Sequence, residues 1–139
     1  MSLDAFRTEV RTFFDDTLPG ALDGVEGGVA RAKVWRALLF DHGLGALDYP
    51  EEFGGRGLDR EYLDVWAAES TGRIPRENNL FGLGVGMALP TIRDYGNATL
   101  KERFLRPGLR GEEVWCQLYS EPGSGSDLAS LQTLSLIHI

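Results

Sequence analysis

The sequence predicts a mostly α-helical domain that hands over, near residue 113, to the first strand of a β domain. Three observations carry this. Apolar residues recur at helical spacing through most of the first 110 positions. Asn, Asp, Gly and Pro stand where those stripes begin and end. The run "EVWCQLYS", residues 113–120, then breaks the pattern with aromatic and β-branched residues that favour a strand.

Taken in order, residues 3–18 ("LDAFRTEVRTFFDDTL") place Leu3, Phe6, Val10, Phe13 and Phe14 on one helical stripe. Pro19-Gly20 is expected to end that helix. Residues 21–28 are Gly-rich and read as a loop. A second helix is expected from Val29 to His42, with Val34, Ala37, Leu38 and Leu39 as its apolar stripe and Gly43 as its cap. "GLGALDYPEEFGGRGL", residues 43–58, reads as loop because its glycines and Pro50 break any period. Asp59 is placed to cap a third helix to about Ser70, turning Tyr62, Val65 and Trp66 inward. A fourth is expected over Asn78 to Tyr95, weakened by Gly82, Gly84 and Gly86. Asn97 caps a fifth, "ATLKERFL", which Pro107 and Gly108 are expected to close. The expected domains are therefore residues 1–112, helical, and 113–133, the opening of the β domain. Residues 134–139, "LSLIHI", form a bare apolar end with nothing in the sequence to pair with, so a non-native tail on a truncated chain is expected.

A chain of 139 residues is long enough for one domain with a real core, since about 150 residues bury roughly two-thirds of their unfolded surface. The net charge of −7, with no run of Lys and Arg, argues against nucleic acid and against an anionic membrane surface. No stretch approaches the roughly 20 apolar residues of a membrane span. Cys116 is the only cysteine, so no intrachain disulfide can form; with no signal-like start, a cytoplasmic location is expected.

Several candidate chemistries have plain explanations. His42 and His138 lie far apart without carboxylate or Cys at ligand spacing, so no metal site is expected. His42 suits a helix C-terminus, and Cys116 reads as a small core residue. Asp15-Asp16 and Glu51-Glu52 are neighbours that point apart and read as solvated charge. No strand precedes Gly82, Gly84 and Gly86, so a dinucleotide-binding turn is disfavoured. Those glycines either let helices pack closely or, at Gly82 and Gly86 on one face, leave room for a ligand. "YSEPGSGSDLASLQT", residues 119–133, suits a surface turn and equally a cradle of backbone N–H groups for an anion. Spacing alone leaves both open.

The order of motifs goes further. "YPEEFGGRG" at residues 49–57 is followed by Pro90, Tyr95-Gly96 and Lys101, and then by "WCQLYSEPGSGSDLASLQT". This succession resembles the acyl-CoA dehydrogenase family over residues 3 to 133, with wording similar to actinobacterial members. The resemblance implies bound FAD beside Gln117 to Ser126. Leu118 and Tyr119 would pack by the flavin ring, and Ser120, where the family usually has Thr, would donate to the ring's reactive edge. Gly125 and Ser126 would meet the pyrophosphate, and Ser126 would also lie near the pantetheine arm of the acyl-CoA substrate. The implied reaction is α,β-desaturation of an acyl-CoA thioester, with electrons leaving to an electron-transferring flavoprotein or similar acceptor. The family's base is a carboxylate of the C-terminal helical domain, and no residue here matches it, so the chain alone is expected to be inactive. Gly82 and Gly86 would widen the acyl pocket, which suggests a bulky or steroid side-chain acyl group. A homo- or hetero-oligomer is implied for the full-length form. An acyl-CoA oxidase of the same fold, or a non-catalytic partner subunit or module, is the alternative.

Overall fold

The computed structural model describes residues 1–118 and 120–132, and six α-helices, joined by 3₁₀ and π turns, form its framework. α1 spans Leu3–Thr12 and begins at Ser2, whose Oγ accepts from the Ala5 N–H at 3.2 Å. It buries Phe6 and Val10 against α4, Arg60–Ser70. α2 is Leu18–Leu22, α3 Gly28–Asp41, α5 Leu89–Tyr95 and α6 Ala98–Arg110.

Two clusters form the core. One gathers Phe6, Val10, Phe13, Phe14, Leu18, Trp35, Leu39 and Val65 between α1, α3 and α4. The other joins Phe40, Ala46, Tyr49, Leu89, Leu105 and Leu109 between α3, the 44–49 loop, α5 and α6. α3 serves both, and so its buried face is Ala32, Trp35, Arg36, Leu39 and Phe40. The expected stripe of Val34, Ala37, Leu38 and Leu39 is thus off by one position, with only Leu39 fully buried. Arg36 hid the true face, because a charge at 4% exposure interrupts the apolar pattern. Its Nη2 donates to the Gly45 carbonyl at 2.7 Å, and burial pushes the guanidinium pKa down to about 10.

Pro19-Gly20 does not stop the first helix. Residues Phe13–Thr17 widen into a π turn, with the Leu18 N–H donating to the Phe13 carbonyl. Pro19 then falls in the first turn of α2, where its missing N–H costs nothing. Pro107 and Gly108 likewise lie inside α6. Gly108 is needed there for packing, since a Cβ would come 2.6 Å from Leu89 Cδ2 across the α5–α6 contact. The real end is a Schellman closure: Glu112 N–H donates to the Pro107 carbonyl at 2.9 Å and Gly111 N–H to Gly108 at 3.2 Å.

The expected fourth helix is broken into pieces. A 3₁₀ segment covers Arg76–Phe81, a π turn Gly84–Ala88, and only α5 is regular. Among the described residues of 113–120 no strand ladder forms; the single bridge lies later, between Glu121 and Ser124. Strand-forming residues need a neighbouring strand to pair with, and none is described here. Tyr119, Thr133 and the expected tail at 134–139 lie outside the described residues. No helix among the described residues is long and apolar enough to cross a membrane.

Candidate functional site

The chain leaves α6 along the face of the π turn and α5. Arg103 on α6 holds Glu113 at 2.6 Å, and the Trp115 ring stands edge-on to Phe104, centroids 5.3 Å apart. An open groove of about 300 Å³ results, walled by Leu83, Met87, Ala88, Thr91 and Ile92 on one side and residues 115–118 on the other. Leu83 and Met87 are 40% and 38% exposed and Leu118 is 85% exposed, so this is an uncovered apolar surface.

Of the sequence-predicted site residues, Gln117 and Leu118 line this groove. Gly82 and Gly86 do not line it; both are exposed, and a Cβ on either would meet nothing within 4 Å. Ser120, Gly125 and Ser126 are exposed. Cys116, expected in the core, is exposed on the groove wall, since no strand among the described residues pairs with this segment. His42 caps α3, and its ring meets Phe13 at 5.5 Å, a structural placement.

The Gly/Ser turn is closed on itself by local bonds. Glu121 and Ser124 exchange backbone hydrogen bonds of 2.9 and 3.0 Å, and the Glu121 carboxylate accepts from the Gln132 N–H at 3.0 Å. The Ser124 hydroxyl, 4% exposed, donates to the Asp127 carbonyl at 2.8 Å and meets Ser130 Oγ. Ser124 therefore builds the turn, while Ser120, Gly125 and Ser126 are left facing solvent. Around Gly123 and Gly125 a Cβ would meet nothing within 4 Å, so another molecule can approach this backbone closely. That open backbone and the free hydroxyls fit a phosphate-bearing cofactor such as FAD.

Sequence reasoning missed Gly84 and Trp115. The first was one of three glycines in a row of alternates, and the second was read only as a strand former. Gly84 is the buried one of the three, with Trp115 Cδ1 2.8 Å from where its Cβ would stand. Only the long-range contact tells it from Gly82 and Gly86.

The described residues thus build a helical bundle with an uncovered apolar groove, bordered by a segment that ends in an open Gly/Ser turn. The chain belongs to the acyl-CoA dehydrogenase family: residues 2–112 match the family model described as acyl-CoA dehydrogenase, N-terminal domain. It is 38% identical over 142 residues to acyl-CoA dehydrogenase IpdE1 of Mycobacterium tuberculosis, covering 94% of this chain and 36% of that protein. It is 36% identical over 97 residues to the mitochondrial short-chain specific acyl-CoA dehydrogenase of Mus musculus, 66% of this chain and 22% of that one. Among solved structures it is similar to the ChsE4-ChsE5 complex from Mycobacterium tuberculosis, with TM-score 0.66 and 28% identity over 94% of this chain and 33% of that chain. The Tcur3481-Tcur3483 steroid ACAD gives TM-score 0.65 and 30% identity over 93% and 34%. The chain thus spans about a third of the length of these actinobacterial relatives.

Proposed function

We propose that this chain supplies the N-terminal helical domain and the flavin-facing turn of an FAD-dependent acyl-CoA dehydrogenase of lipid β-oxidation. The observation that carries this is the exposure of Gln117 and Leu118 on the groove wall and of Ser120, Gly125 and Ser126 after it. FAD, when bound, supplies the hydride acceptor for α,β-desaturation. The residues here bind and orient. Leu83, Met87, Thr91 and Ile92 offer an apolar wall that keeps water from an acyl chain. The Ser120 hydroxyl is a donor toward the flavin, and the backbone at Gly125 and Ser126 approaches the pyrophosphate. Tyr119 joins them by the family pattern.

The acyl group we propose is bulky, of the steroid side-chain class. The likeness to a protein described as a steroid ACAD supports this; Gly82 and Gly86, which lie outside the groove, do not bear on it. Since neither the base nor most of the flavin surface is among these residues, the chain by itself is inactive. The pairing of two proteins in ChsE4-ChsE5 and Tcur3481-Tcur3483 supports a hetero-oligomeric full-length form, in which an electron-transferring flavoprotein or similar acceptor takes the electrons. A chimera tests the proposal, with residues 1–132 replacing the matching segment of a full-length relative. It is expected to hold FAD and to turn over a steroid side-chain thioester faster than butyryl-CoA. A preference for butyryl-CoA overturns the substrate assignment, and a folded chimera without FAD overturns the flavin role.

A further inference from the structure

We propose that Trp115 is a positioning residue for the flavin-facing segment and that Gly84 is the seat that sets its place. This rests on the flavin reading above. Of the described residues from 114 to 120, Trp115 alone is not exposed. Its ring packs on the cluster of Phe40, Leu89 and Leu105 and edge-on to Phe104. Its other boundary is the bare backbone of Gly84, where a Cβ would come 2.8 Å from Cδ1, closer than real side chains pack, and 3.3 Å from Cγ, a tight contact. Gly84 opens the π turn Gly84–Ala88, a local widening of the kind often found beside functional sites.

The indole Nε1 is buried and has no hydrogen-bond partner among the described residues. An unmade bond is unfavourable in a buried place, so shape rather than polarity holds the ring. Gln117 follows two residues later and Ser120 five. Only Cys116 stands between the ring and Gln117, so the ring's place limits where the Gln117 side chain emerges. A methyl group at Gly84 displaces the ring and the segment with it.

Cys116, exposed and the only cysteine, allows a test without flavin. A nitroxide label on Cys116 of the full chain is expected to give an immobilised spectrum. G84A and W115A are expected to mobilise it, W115F to mobilise it little, and G84A/W115F to restore it because the smaller ring clears the new methyl. FAD titration of the full-length chimera carrying the same substitutions should then show affinity about tenfold weaker in W115A and nearly unchanged in W115F, from lost preorganisation. The unfolding midpoint followed by helical circular dichroism should move little. A wild-type label as mobile as that of W115A, or a G84A label like the wild type, overturns the proposal. So does a W115A loss of affinity that only follows a lower midpoint, which assigns the ring to the core. Labels that respond as expected, with a folded full-length chimera that binds no FAD, leave the anchor standing and sink the flavin reading instead.

Discussion

The α1–α4 half of the molecule and the 113–132 segment are held together in different ways. In the first, aromatic rings do the holding: Phe13 and Phe14 pack against Trp35, Phe14 stacks on Trp66, and Phe6 meets Tyr62 edge-on at 5.3 Å. In the second, the contacts are the Arg103–Glu113 ion pair, the packing of Trp115, and short-range hydrogen bonds within residues 121–132. The difference teaches where function can sit. Packed surface is already committed, whereas a turn closed by its own bonds keeps its outer hydroxyls and N–H groups for another molecule.

The largest expected effect breaks the packed half. Trp35 is 1% exposed, and its Nε1 donates to Asn78 Oδ1 at 2.9 Å. W35A is expected to lose about 3–5 kcal/mol of stability, read from the denaturant midpoint, and to take the helical signal with it. Next is the loop that joins the two core clusters. Gly54 sits at φ +86°, and a Cβ there would be 2.2 Å from Phe40 Cζ. G54A combines backbone strain with a clash, an expected cost of about 1–3 kcal/mol; an unchanged midpoint would show that Phe40 yields freely. N97A removes the cap that accepts the Leu100 N–H at 2.9 Å, for about 1 kcal/mol.

The comparison is sharpened by S124A. It should change the helical unfolding midpoint by less than about 0.5 kcal/mol, yet speed amide exchange at Ser124 and Gln132. Protection unchanged at both would mean that the Ser124 hydroxyl is not what closes the turn.

The two regions also differed in how far the sequence disclosed them. Phe6, Val10, Phe13 and Phe14 were legible because a helix in contact with one core shows one stripe. α3 was misread by one position because it faces two cores and buries Arg36 among apolar residues. Pro19 and Pro107 were taken as stops because each is judged locally, while a π turn and the Leu89 contact decide their places. The turn at 119–133 was visible by composition. That Ser124 points inward and Ser126 outward is a matter of tertiary bonding, which alternating Gly and Ser cannot show.

The smallest effect concerns acid. Glu69 lies beside Arg11, which donates to its two oxygens at 2.7 and 2.9 Å, and that bonding holds the carboxyl below its ordinary 4.5. A depressed folded pKa means stabilisation that is present above the unfolded value and lost as pH falls through the folded one. The acid limb of the stability curve below about pH 4.5 therefore contains a contribution from this α1–α4 tie. E69Q removes the titrating group, so its curve should fall less steeply in that window while starting slightly lower at neutral pH. Because the Arg11 side of the pair is exposed, salt at molar concentration should shrink the difference between the two curves. Parallel acid limbs for E69Q and wild type would show that the tie adds nothing to aromatic packing in joining α1 to α4.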